Sequence, residues 1–378
     1  MIVRGAKVFD EKNGFIERDV FIDGASFADA AGGESIDGSG CYAIPGLIDV
    51  HLHGCVGREF SDADAAGIDA MADYQASQGV TAICPTTLTD SEEALAKACG
   101  EIARASSEKG AAIVGVNLEG PFMSPHKLGA QNGAYLKKPD AAMFRRLQKA
   151  AGGLVRLLAI APELPGAMQL IEELSGRSGE PGEVVCSVAH TTADYALAME
   201  AFEKGARHVT HLYNAMPPFA HREPSVVGAA FDWPSCRVEL ICDDVHIHPS
   251  VVRATFKMFG DDRIVMISDS MMATGLDDGE YRLGRLPVRV CGNKATLIEG
   301  GNIAGSVTNL MKCLKTAVSV MGIPLHSAVK CAAVNPAKTV GVFGERGSIE
   351  AGKCADLVLL DANLDVKKII MRGKTLYS

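Results

Sequence analysis

The chain has 378 residues, 47% of them hydrophobic and 22% charged, and a net charge of −9. That length can bury a large core with room for a smaller second unit, and the composition is that of a folded enzyme rather than a disordered or fibrous chain. The acidic balance argues against general affinity for nucleic acid or an anionic membrane surface, so an anionic substrate would need a local basic pocket.

Cysteine usage and the first residues bear on compartment. The eleven cysteines form no C-x-x-C pair, the closest two being Cys236 and Cys242. Neither a zinc ribbon nor a disulfide framework is therefore expected, and free thiols in a reducing compartment are. Arg4, Lys7, Asp10, Glu11 and Lys12 open the chain without the apolar stretch of a signal peptide. No run reaches the roughly 18 apolar residues of a membrane span, and the chain reads as cytoplasmic.

Residues 1–42 read as short strands and turns, with Asp-Gly pairs at 23–24 and 37–38 marking turns. From residue 43 the grammar changes to apolar runs separated by helical stretches. The runs are 43–53, 80–87, 111–119, 154–161, 183–190, 208–214, 237–246 and 263–269. Between them, 91–109 is predicted as a helix capped by Ser91, with Glu92 and Glu93 in its first turn and Gly110 as its stop. The stretch 193–204 before Gly205 repeats the pattern. Apolar runs buried on both faces and joined by helices form parallel sheets, and eight of them predict an α/β fold, a closed (β/α)8 barrel. An open doubly wound sheet is the structural rival, weakened because no G-x-G-x-x-G follows the first run.

A Gly-rich insertion through Gly301 reads as a loop and hairpin over the barrel mouth, some of whose strands could join the β-rich chain end. Helices are predicted at about 305–321 and 325–333, and the tail returns to strands. Both ends being β-rich, residues 1–42 and 340–378 are expected to pair as a small β-sandwich domain, leaving 43–339 as the barrel.

The first run ends in His51 and His53, which alternate back to one strand face roughly 6–7 Å apart and can chelate one ion. Later runs end in Glu119, His190, His211, the Asp243-Asp244-Val245-His246 segment and Asp269. A single such histidine is more often a hydrogen-bonded structural residue. In a barrel, however, all these ends meet at one face, where active sites lie. Imidazole with carboxylate suits Zn²⁺, Fe²⁺ or another first-row divalent ion rather than Mg²⁺ or Ca²⁺.

The segments PGLIDVHLHG at 45–54, NLEGPF at 117–122, THLYNAMPPFAHREP at 210–224, DDVHIHP at 243–249 and SDSMMATG at 268–275 carry a resemblance. The chain resembles the amidohydrolase superfamily and, within it, the N-acetylglucosamine-6-phosphate deacetylases. The resemblance runs nearly end to end, and the HLYNAM…REP stretch is its most specific part. It implies that Glu119, His190 and His211 hold one metal, and that His51 and His53, with Glu119 bridging, hold a second. Two divalent ions per chain, Zn²⁺ or Fe²⁺, follow from it.

By the same resemblance Asp269, which also touches the metals, passes a proton from water to the departing sugar nitrogen, and His246 helps to stabilise charge on the acetyl oxygen. Arg222, Asn214 and the backbone N–H of Ala215 would take the sugar phosphate, with Arg222 reaching the neighbouring site of a homodimer. Gln131 stands where many relatives have a substrate-contacting histidine and is read as a variant binder. Ser225 stands where relatives usually have glycine. Rival readings are deacetylation of the 4-epimeric N-acetylgalactosamine 6-phosphate, another amidohydrolase acting on a cyclic amide or nucleobase, or a non-catalytic scaffold. A scaffold should have lost ligands, and none is missing.

Overall fold

Eight short strands, apolar because both faces are covered, form the frame of the molecule. A computed structural model describes residues 1–105, 110–175 and 184–377. The strands are β1 (Leu47–Leu52), β2 (Val80–Thr87), β3 (Val116–Glu119), β4 (Val155–Ile160), β5 (Val185–Val188), β6 (His208–Val209), β7 (Arg237–Ile241) and β8 (Ile264–Ile267). Each pairs in parallel with the next. The seam between the last and the first is joined at their C-terminal ends, where the Asp269 N–H donates to the His51 carbonyl at 2.9 Å and the His53 N–H to the Ser270 carbonyl at 2.8 Å. Ile48, Val50, Ala82, Cys84, Leu157, Val185, Ile241, Val265 and Ile267 make one buried cluster drawn from strands all round the ring. A cluster shared that way fills the barrel interior, so the barrel is a packed core rather than a pore.

The first predicted run, 43–53, serves two sheets. Tyr42–Pro45 pairs antiparallel with Leu357–Leu360 in an eight-stranded sheet built from both chain ends, and the barrel strand starts only at Leu47. Gly46 is the crossing point, and a Cβ there would lie 2.1 Å from Thr81 Oγ1. Alternation in the end sheet is two-sided. Val8, Ala43, Leu357 and Leu359 pack into the sheet's own core, while Phe9, Ile44, Val358 and Leu360 join the large cluster shared with the barrel.

Other predicted elements are shifted. The run 111–119 is divided into Ala112–Ile113 and β3, both paired with β2. The helix predicted over 91–109 begins as expected, with Ser91 Oγ accepting from the Ala94 N–H at 3.2 Å, but it ends at Arg104 with Ala105 extended. Its last buried residue is Ile102, and Ala105 packs against the core from an extended backbone rather than a further helical turn; residues 106–109 lie outside the described ones. Glu183, the first residue of the fifth run, also lies outside them. The insertion forms its own four-stranded antiparallel sheet (Gly279–Leu283, Leu286–Cys291, Lys294–Leu297, Ile303–Ser306) and does not join the end sheet. Because its last strand runs to Ser306, the following helix is Leu310–Ser319 rather than 305–321. The helix predicted at 325–333 continues to Thr339, passing Pro336 after a π turn at Lys330–Val334. All eleven cysteines are free, and only Cys291 is exposed. Among the described residues no helix is long and apolar enough to cross a membrane.

Candidate metal centre

Where strands β5 to β8 end, the chain turns sharply on non-glycine residues in the left-handed region: His190 (φ 42°), His211 (φ 28°), Asp244 (φ 65°) and Asp269 (φ 50°). Such backbone costs about 1–3 kcal/mol per residue and persists only where the surroundings over-determine it, most often at functional sites. Its effect here is to bring side chains from separate strands over one end of the barrel. Glu119 Oε1 lies 3.2 Å from His190 Nε2 and 3.0 Å from His211 Nε2, and those two ring nitrogens are 3.1 Å apart. Glu119 Oε2 lies 3.1 Å from His53 Nε2, and Asp269 Oδ1 is 3.3 Å from the same nitrogen and 3.6 Å from His51 Nε2. The donor atoms fall into two sets, His51, His53 and Asp269, and Glu119, His190 and His211.

The rings are aimed by groups behind them. His51 Nδ1 donates to Glu239 Oε2 at 2.9 Å, His190 Nδ1 to the Lys127 carbonyl at 2.8 Å, and His53 Nδ1 lies 3.3 Å from the Thr86 carbonyl. With Nδ1 so engaged, each Nε2 is left facing the centre. His51 Nε2 is buried and has no hydrogen-bond partner there. A buried polar atom without a partner is rare unless a ligand satisfies it. Four imidazoles and two carboxylates, converging through atoms 3.0–3.6 Å apart, fit a binuclear site for divalent metal ions.

The electrostatics point the same way. Burial alone would lower the pKa of His51, but Glu239 and Glu119 outweigh it and hold the ring well above its ordinary value. His53 follows the same pattern, with burial overcome by Asp269 and Glu119, and reaches about 9. Glu119 and Asp269 move down because neighbouring imidazoles outweigh the cost of burial. The buried carboxylates thus favour positive charge at the centre, which divalent cations would supply.

A cleft of about 670 Å³ opens above this floor, lined by Gln131, Asn214, Ala215 and His246 as well as by every ligand but His51. His246 donates from Nδ1 to Asp243 Oδ2 at 2.7 Å, which fixes its orientation. Gln131 does not stand free: its amide nitrogen donates to Glu119 Oε2 at 2.6 Å, and its oxygen accepts from the Thr89 N–H at 2.8 Å. Arg222 is exposed, donates to His221 Nε2 at 2.8 Å and does not line the cleft. Leu283, Asn302, Ile303 and Gly305 of the inserted sheet make one wall. Gly305 (φ 65°) lies so close to β8 that a Cβ would stand 3.0 Å from the Asp269 carbonyl.

Sequence reasoning missed the orienting groups. Glu239 lies inside an apolar run, and the Lys127 carbonyl is a backbone atom with no sequence signal. Lys127 itself lines the cleft and donates from Nζ to the Met216 carbonyl at 3.2 Å.

A parallel barrel with such a divalent-metal floor at its strand ends defines the amidohydrolase class, and the amidohydrolase family model matches residues 42–376. Closer relatives narrow the class. The N-acetylglucosamine-6-phosphate deacetylase of Bacillus subtilis is 36% identical over 87% of this chain and 83% of its own, and that of Lysinibacillus sphaericus is 31% identical over 99% and 97%. A mutant of the Mycobacterium smegmatis deacetylase, solved in complex with N-acetyl-D-glucosamine-6-phosphate, superposes with a TM-score of 0.93 at 30% identity, over 100% of this chain and 99% of its own. The chain belongs to the N-acetylglucosamine-6-phosphate deacetylase family.

Proposed function

We propose that this chain hydrolyses the N-acetyl group of N-acetylglucosamine 6-phosphate, giving glucosamine 6-phosphate and acetate. The observation that carries the reading is the pair of ligand sets meeting at Glu119 on the floor of the cleft. Full-length relatives bearing that activity in their names support it.

An amide has a weak electrophile and a poor leaving group, so its hydrolysis needs help at the water, the carbonyl and the nitrogen. Divalent ions, held by Glu119, His190 and His211 and by His51, His53 and Asp269, would supply Lewis acidity toward water and the acetyl carbonyl. The Asp269 carboxylate takes the proton of the attacking water and delivers it to the sugar nitrogen as the C–N bond breaks, acting as base and then acid. His246, held by Asp243, presents its other ring nitrogen to the acetyl oxygen where charge develops. The amide of Gln131 is a donor that can turn from Glu119 to the substrate.

Asn214 and the Ala215 backbone N–H take the phosphate. Arg222, exposed and outside its own cleft, serves the neighbouring cleft of a homodimer in the cytoplasm. The division into an end-built β domain and a barrel belongs to the same proposal, with the expected boundary at 42/43 moved to Gly46 because 43–45 pair in the end sheet. The test is acetate release by Zn²⁺- or Fe²⁺-loaded protein from N-acetylglucosamine 6-phosphate and its 4-epimer. Turnover of the first is expected to dominate, and failure to release acetate from it overturns the reading.

A further inference from the structure

Glu239 is fully buried on β7, behind the metal ligands and outside the cleft. A carboxylate in such a place needs hydrogen bonds to offset the loss of water. Both of its hydrogen bonds use one oxygen: Oε2 accepts from His51 Nδ1 at 2.9 Å and from the backbone N–H of His211 at 3.0 Å. Oε1 has no hydrogen-bond partner and lies 3.8 Å from His208 Nδ1. His51 belongs to one ligand set and His211 to the other. The bond to His211 falls on a residue whose backbone is left-handed, at φ 28°.

We infer that Glu239 is the positioning residue of the metal centre, with one carboxylate oxygen fixing a ligand of each set. Its bond to His51 sets the tautomer that turns Nε2 toward the centre and makes that nitrogen a better donor. Its bond to the His211 N–H holds the turn that carries the second ligand. Removing such an orienting partner typically weakens metal binding about 10–100-fold. This inference rests on the two-metal reading above.

Two variants separate positioning from mere packing. Glu239→Gln keeps an oxygen that can accept both bonds but loses the charge. Glu239→Leu removes the acceptor from both donors. Stripped wild-type and variant proteins are titrated with Zn²⁺ against a chromophoric chelator, and melting is followed with and without Zn²⁺. Glu239→Leu is expected to bind at least one of two Zn²⁺ ions about 10–100-fold more weakly, with partial rescue in Glu239→Gln. The rise in melting temperature on adding Zn²⁺ should shrink in the same order. Variants that melt lower when stripped yet bind both ions as tightly as wild type would overturn the inference, since that is what packing alone predicts. If Leu prevents folding, Gln decides: wild-type affinity at both sites overturns the role. A wild-type protein that binds no Zn²⁺ would instead remove the two-metal reading, and the inference with it.

Discussion

Glu119 is where the two ligand sets meet, one oxygen toward His190 and His211 and the other toward His53. Losing a ligand should therefore remove metal and turnover together while leaving the fold. In His190→Ala the expected result is reduced metal by elemental analysis, lost acetate release and an unchanged circular dichroism spectrum; full metal content with full turnover would contradict the assignment. Asp269 and Arg222 are separated by a crossed comparison. Proton transfer is a transition-state role, so Asp269→Asn should lower kcat by about 10²–10⁴-fold with little change in KM. Arg222→Ala should raise KM for the phosphorylated sugar and spare a phosphate-free analogue. Equal damage to both substrates would remove Arg222 from phosphate binding.

At the scale of elements, the wall of the cleft hangs on a buried carboxylate. Glu59, in the hairpin just after His53, accepts from the Gly284 N–H at 2.9 Å and from Arg282 Nη1 at 3.0 Å, fastening the inserted sheet. Burial pushes its pKa from 4.5 up to about 7, with Gly284 and Arg282 only partly opposing. A carboxylate raised in the folded state makes the native form hold more protons than the unfolded one between those values. Stability from this group is thus complete below about 4.5 and falls as pH rises toward about 7. The loss is on the order of 3 kcal/mol at most. Glu59→Gln, which does not titrate, should flatten the melting temperature across that range; an unchanged slope would show that Glu59 is not its source.

Elements also show what the sequence could carry. Barrel strands are legible because both faces are covered, so β8 reads as an unbroken apolar run and β2 as a β-branched one. Ligands are legible because they sit where those runs stop. The helix stop at Arg104 is not, because neither Gly nor Pro stands at Ala105 to mark it. Glu239 is invisible for a different reason: its partners are 188 and 28 residues away, and no local spacing encodes them.

Over the whole molecule, the metal centre caps one end of a barrel whose interior is filled by aliphatic side chains. Metal should then add to stability without being needed for folding. An ion at 100 times its Kd contributes about 2.7 kcal/mol per site by mass action. Chelation should accordingly lower the melting temperature, re-addition of Zn²⁺ should restore it, and secondary structure should persist throughout. Unfolding at room temperature on chelation would show instead that the centre is part of the core.

The pairing of Tyr42–Pro45 with Leu357–Leu360 imposes an order on synthesis. While the ribosome is still making the barrel, the strand that leads into β1 has an unpaired edge, and its partner is more than three hundred residues away. Closing so long a loop is slow, and an uncovered strand edge is an invitation to other chains. The nascent protein therefore passes through a long interval in which its barrel can assemble but its opening segment stays unclosed. Truncation after Asp356 should freeze that interval, giving a chain that aggregates during expression; a soluble, monodisperse product would show that the edge is protected by other means.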